Sequence, residues 1–262
     1  VWDQTIRALP PGYRALALDL PGHGQSGRRG PIAAWADSVA PVVAALDGLA
    51  IEGALAIGHS MGGYLAAMAA LERPAAFRGL MLIDPVMPAP EDYASLEFKG
   101  MAGPHEHPVA RRRDRWPDWR AFHDRFKDRT PYSLWRPGIL EDYCRHGLTP
   151  APDGDGYVLA CAPIFEASVY FNSRRANVLD KLAGVEAPVT ILRAHYTPRD
   201  PALPTDFMRS TTWAGLADCF QAGEDVYLAE RTHFIPMEDP EEVARRIVAL
   251  AGKAGRNNCR AR

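Results

Sequence analysis

The stretch "ALAIGHSMGGYLAAMAALE", residues 54–72, decides the fold. It opens with a short apolar run, turns through Gly58-His59-Ser60-Met61-Gly62, and continues with Tyr64, Leu65, Met68 and Leu71 at helical spacing. The pattern predicts a buried strand, a sharp turn and a helix. A serine at the tip of such a turn has a strained backbone, and residues two before and two after it are crowded. Glycine at both positions relieves the clash. The helix start then directs backbone N–H groups at the serine hydroxyl, where an oxyanion would develop during attack on a carbonyl. G-x-S-x-G in a strand–turn–helix context marks Ser60 as a nucleophile, against the plainer reading of a structural turn serine.

Working outward, further apolar runs read as strands covered on both faces of a parallel sheet: "YRALALD" (13–19), "GLMLID" (79–84), "VTILRA" (189–194) and "DVYLA" (225–229). Helical patterns lie between them. Trp35, Val39, Val42 or Val43, and Leu46 form one stripe. The last helix has Asp239 as cap, Pro240 at its first position, and Val243, Ile247 and Leu250 as buried stripe. Strand–helix alternation predicts right-handed crossovers and a doubly wound, mostly parallel α/β sheet. The alternation stops between residues 87 and 180. This stretch is rich in proline, arginine and aromatic residues and too long for a loop, so an inserted, mainly helical cap is expected there. The core is then 1–86 with 181–262.

Composition narrows the function. The chain has 262 residues, 47% hydrophobic, with a formal net charge of −2 and no acidic or basic half. Neither nucleic acid nor an anionic membrane is expected as a partner. The longest apolar-looking region, 39–71, is broken by Asp47, Glu52, His59 and glycines, so no membrane insertion is expected. No signal peptide is visible. The four scattered cysteines form no CxxC pair, which fits free thiols in a cytoplasmic protein. No metal-ligand cluster or dinucleotide fingerprint is present, and no cofactor is expected.

With its elbow, and with "LDLPGHGQSG" (18–27) carrying Gly22, His23, Gly24, Ser26 and Gly27 in order, the chain resembles the α/β-hydrolase superfamily over almost its whole length. The resemblance implies that Ser60 is activated by His233, which follows the last strand and precedes the capped helix. A carboxylate must orient that histidine. Most relatives carry it after the strand that is here "VTILRA", but Thr197 occupies the usual position and Asp200 comes three residues later. Asp84, ending "GLMLID", matches the placement used by other members. Asp84 and Asp200 both remain candidates.

The resemblance also implies that the Met61 backbone N–H is one oxyanion donor. The second donor belongs to a loop that would precede "VWDQT". The N-terminal strands and that donor are therefore expected to be missing, and the 262 residues are expected to be an unstable or weakly active piece of a longer chain. The inserted region would roof the site. His59, Trp119, Phe122 and Trp135 are candidate substrate-binding residues, although any single cap aromatic could equally belong to the cap's own core. Arg111, Arg112, Arg113 and Arg115 could attract a substrate carboxylate or form a solvated face, the simpler reading. The function expected is hydrolysis of a small carboxylic ester or lactone through an acyl-enzyme on Ser60. Alternatives are carbon–carbon bond hydrolysis, acyl transfer, or a small-molecule receptor with little turnover.

Overall fold

The computed structural model describes residues 1–95, 101–197 and 206–260. In chain order the described strands are β1 (Ala54–His59), β2 (Phe77–Ile83), β3 (Arg115–Trp116), β4 (Leu148–Pro150), β5 (Tyr157–Leu159), β6 (Val189–Ala194) and β7 (Gly223–Leu228). The α-helices are α1 (Asp3–Arg7), α2 (Val39–Gly48), α3 (Met61–Glu72), α4 (Pro90–Ser95), α5 (Trp119–Phe126), α6 (Ile139–His146), α7 (Pro163–Asn172), α8 (Ile235–Glu238) and α9 (Pro240–Arg260).

β1, β2, β6 and β7 form one parallel sheet in the order β1-β2-β6-β7. β2 is central and buried on both faces, with Leu80, Met81, Leu82 and Ile83 all at 0% exposure. The period-two alternation of a strand divides these side chains. Leu80 and Leu82 join the core beneath α2 and α3. Met81 and Ile83 join Val243, Ile247 and Leu250 of α9 on the other face. Asp239 caps α9 by accepting the Glu242 N–H at 3.1 Å.

The run 13–19 departs from expectation. It forms no strand, and Leu16 and Leu18 are 54% and 45% exposed. An alternating pattern becomes a strand only beside an edge that takes up its backbone N–H and C=O groups. This segment pairs with none of the described strands. The chain turns instead. Asp19 accepts the Gln25 N–H at 2.9 Å, and Ser26 Oγ donates to the Asp19 carbonyl at 2.6 Å.

The described residues of 87–180 add no strand to the parallel sheet. Besides helices this stretch contains a three-stranded antiparallel sheet, β3-β5-β4, which its irregular sequence did not suggest. It is tied to the segment before α2: Arg28 reaches the Leu159 carbonyl at 2.6 Å, and Trp35 Nε1 donates to the Val169 carbonyl at 2.8 Å. Among the described residues no helix is long and apolar enough to cross a membrane.

Candidate active site

Ser60 sits between the end of β1 and the start of α3 with φ 56° and ψ −122°. A non-glycine residue at positive φ costs on the order of 1–3 kcal/mol, and the surroundings must hold it there. The Ser60 N–H donates to the Ile83 carbonyl at 3.0 Å, which fastens the turn to β2. Gly58 is required by space, since a Cβ there would lie 2.2 Å from the Gly62 carbonyl oxygen. Gly62 is not: a Cβ there meets nothing within 4 Å. The second spatial demand falls on Gly63, whose Cβ would lie 2.8 Å from Pro85 Cβ. Met61 opens α3, so its amide lies among the N–H groups a helix leaves unpaired at its positive end.

His233 lies on the turn between β7 and α8 and is 3% exposed. Its Nε2 is 3.1 Å from Ser60 Oγ, and its Nδ1 is 2.7 Å from Asp84 Oδ2. Asp84 is fully buried at the residue where β2 ends, with φ 39°. The carboxylate that closes so apolar a strand is thus satisfied by hydrogen bonds. Oδ1 accepts the Ala194 N–H at 2.9 Å and the Ser210 hydroxyl, and Oδ2 accepts the Thr211 N–H at 3.3 Å. Thr212 Oγ1 lies 3.4 Å from Oδ1 and donates at 2.7 Å to the Pro85 carbonyl. Asp200 lies outside the described residues. The segment after β6 nevertheless serves this site, through Ser210, Thr211 and Thr212. Their hydroxyl-rich run "STT" was the only trace of this in the sequence.

The predicted substrate-binding residues separate. His59 does not face open space: its Nε2 is 2.7 Å from the His233 carbonyl oxygen. A carbonyl only accepts, so Nε2 carries the proton and His59 holds the backbone of His233. Burial, then the neighbouring His233, pull the pKa of His59 down to about 3. Phe122, at 1% exposure, is packed in the interior between Trp116 and Phe126, because it occupies the buried face of α5. Trp119, one turn earlier, is half-buried at the surface, held by the guanidinium groups of Arg145 at 4.1 Å and Arg120 at 4.7 Å. Trp135 alone of the three reaches the site, through Phe234: ring centroids are 5.2 Å apart, and Phe234 lies 5.6 Å from His233. Phe207 stacks over His233 at 5.8 Å and 22°. No periodicity marked Phe207 or Phe234.

The basic run also divides. Arg111, Arg113 and Arg115 are exposed, Arg113 over the Trp116 ring and Arg115 paired with Asp153. Arg112 turns inward and forms an ion pair with Glu166 of α7. Among the described residues no group of His, Cys, Asp and Glu side chains is arranged to hold a metal ion.

A serine hydroxyl, an imidazole and a carboxylate in hydrogen-bonded series, beside a helix N-terminus, can carry out acyl transfer. Comparison with known proteins agrees in family. A model of the alpha/beta hydrolase family matches residues 1–246. The dihydrolipoyllysine-residue acetyltransferase component of the acetoin cleaving system of Cupriavidus necator is 39% identical over 85 residues, 32% of this chain and 23% of that protein. The pimeloyl-[acyl-carrier protein] methyl ester esterase of Yersinia pseudotuberculosis is 33% identical over 105 residues, 39% of each chain. The chain therefore spans well under half the length of these curated relatives. A thioesterase domain from the curacin biosynthetic pathway shares the fold, with TM-score 0.67 and 18% identity over 94% of this chain and 85% of that one.

Proposed function

The chain belongs to the alpha/beta hydrolase family, and on that premise we propose that it is a serine hydrolase that cleaves a carboxylic ester or lactone through an acyl-enzyme on Ser60. One observation carries the reading: the unbroken series Ser60 Oγ, His233 Nε2, His233 Nδ1, Asp84 Oδ2 at 3.1 and 2.7 Å. As Ser60 Oγ attacks the carbonyl, His233 Nε2 takes its proton. The Met61 N–H donates to the developing oxyanion, and Asp84 stabilises the imidazolium. Collapse of the tetrahedral intermediate breaks the bond to the alcohol, which takes the proton back from His233. Water, deprotonated by His233, then attacks the acyl-enzyme and releases the acid.

Asp84 is the acid in this scheme. The curated ester-cleaving relative supports an ester substrate. Residues 87–180 act as a cap over a core of 1–86 and 181–262. The contacts of Trp135 with Phe234 and of Tyr170 with Phe207 support that division. The test is hydrolysis of short and medium p-nitrophenyl esters by the chain and by Ser60→Ala. Loss of turnover by about a thousandfold or more in a folded variant is expected. Turnover unchanged by the substitution would overturn the mechanism.

A further inference from the structure

His233 stands on a turn, residues 229–234, that belongs to neither β7 nor α8. No ladder of regular hydrogen bonds fixes such a segment, so other groups must hold a side chain carried on it. The peptide groups of His233 itself are held. Its N–H donates to the Phe207 carbonyl at 3.2 Å, and its carbonyl accepts from His59. The residues on either side are held by one side chain of α8. Glu238 accepts the Thr232 N–H at 3.2 Å through Oε2 and the Thr232 hydroxyl through Oε1. The Thr232 Oγ1 in turn accepts the Phe234 N–H at 3.3 Å.

The chemistry of each group suits its place. A hydroxyl has one proton to give and lone pairs to accept, and Thr232 uses both. A carboxylate accepts at both oxygens, so Glu238 can face two donors of one residue at once. An amide could do so only by turning one of the bonds round. Thr232 is 8% exposed, so donors left without Glu238 would be poorly reached by water. Glu238 is itself anchored. Its N–H donates to the Phe234 carbonyl at 3.0 Å, and the carbonyl of its neighbour Met237 accepts the Arg136 N–H at 2.8 Å. Asp239, the next residue, pairs with Arg231 at 2.7 Å and ties the turn to the end of α8 a second time.

We infer that Glu238 is a positioning residue for His233. Acting through Thr232, it fixes the path of the chain into and out of His233. It thereby keeps Nε2 at 3.1 Å from Ser60 Oγ and Nδ1 at 2.7 Å from Asp84 Oδ2. The inference rests on the hydrolase reading above and adds a residue that supports the reaction without touching the substrate. The demand is geometric, since a displacement of about 1 Å at a reacting group can cost about a hundredfold in rate.

The test compares Glu238→Ala, Glu238→Gln, Thr232→Val and Thr232→Ser with the wild type. It combines p-nitrophenyl ester kinetics, urea unfolding and low-field proton NMR of the His233 Nδ1–H held by Asp84, identified by its loss in His233→Gln. Glu238→Ala and Thr232→Val should lower kcat by about tenfold or more, leave KM within about twofold, and shift or broaden the Nδ1 proton. Thr232→Ser keeps the hydroxyl and should stay within about threefold of wild type with its Nδ1 proton unmoved, and Glu238→Gln should fall between. If Glu238→Ala does not fold, the Thr232→Val and Thr232→Ser pair decides. Unchanged kcat and an unmoved Nδ1 proton in folded Glu238→Ala and Thr232→Val would overturn the inference and leave the Ser60 chemistry intact. So would a Thr232→Ser variant as impaired as Thr232→Val, because the methyl group and not the hydroxyl would then be at work. If Ser60→Ala still turns over ester, the hydrolase reading fails and the NMR alone judges the positioning of His233. A proton that moves in Thr232→Val but not in Thr232→Ser sustains it, and one that moves in neither overturns it.

Discussion

Replacing His59 with glutamine changes how stability depends on pH, and the size of the change follows from the site. His59 is neutral in the folded protein, with its Nε2–H donated to the His233 carbonyl and its ring 4.8 Å from the His233 ring. Asp84, behind His233, favours the charged form of His59, but burial and His233 outweigh it and hold the pKa at about 3. In the unfolded chain the same imidazole titrates near 6.5. Between these values the unfolded state binds one proton more than the folded state, so unfolding free energy rises with pH. The slope for this one group is about 1.4 kcal/mol per pH unit. Its contribution is complete above pH 6.5 and is lost progressively as the pH falls toward 3. A drop from pH 6.5 to 4.5 therefore removes about 2.3 kcal/mol, a large part of the roughly 5–15 kcal/mol that holds a typical domain together. Glutamine can still donate an N–H to the His233 carbonyl, and it does not titrate. Urea unfolding of both proteins at pH 7.5, 6.5, 5.5 and 4.5 measures the difference. The wild type should lose stability faster than the variant below pH 6.5, with the gap changing by about 2.3 kcal/mol between pH 6.5 and 4.5. Parallel curves would refute a neutral His59.

Other outcomes follow from the same geometry. Asp84→Asn should lower kcat by about 10⁴, since an amide can fix the wrong imidazole tautomer, whereas Ser210→Ala removes one of several donors and should cost about ten- to hundredfold. Steady-state kinetics on p-nitrophenyl esters separates the two. Gly58→Ala forces a Cβ against the Gly62 carbonyl and should destabilise by about 3 kcal/mol or more, while Gly62→Ala should stay within about 1 kcal/mol of wild type in urea unfolding. Trp119→Ala should leave kcat/KM for short esters within about twofold of wild type, because its partners are surface arginines; Trp135→Ala, which strips a contact from Phe234 beside the base, should lower it by tenfold or so.

The elbow was legible because its chemistry forces a local signature. A serine at positive φ between strand and helix needs glycine within a few residues, and no distant partner is required to recognise it. His233 could be placed by its order along the chain, after the last strand and before a well-capped helix. Four of the five apolar runs became strands for a similar reason: β2 and β6 are buried on both faces, so they read as continuous apolar runs. The run 13–19 has the same local pattern, but pairing is a property of two segments, and Leu16 and Leu18 lie exposed without one. The acid could not be chosen from sequence because Asp84 and Asp200 both follow strands of one parallel sheet. Only the fold reveals that Asp84 meets the Nδ1 of His233. Arg112 was hidden by its neighbours, since in "ARRRDR" three arginines face solvent and one turns toward Glu166, 54 residues away.

The position of Asp84 explains why the segment after β6 contacts this cluster. β2 and β6 are adjacent and parallel, with Ile83 paired to Leu192, so their carboxyl ends open on the same side of the sheet. A carboxylate at the end of either strand could approach the imidazole. When it stands on β2 at Asp84, it is buried against the end of β6 and must be solvated by protein rather than water. The Ala194 N–H supplies one bond from the β6 backbone itself, and the Ser210 hydroxyl and the Thr211 N–H supply others from the segment beyond. The carboxylate and its donors thus come from opposite sides of the β2–β6 pair, and together they fill the space beneath His233. On this reasoning a carboxylate restored on the β6 side would compete with Ser210 and Thr212 for one small volume. The hydroxyls there follow from burying the Asp84 carboxylate at this point.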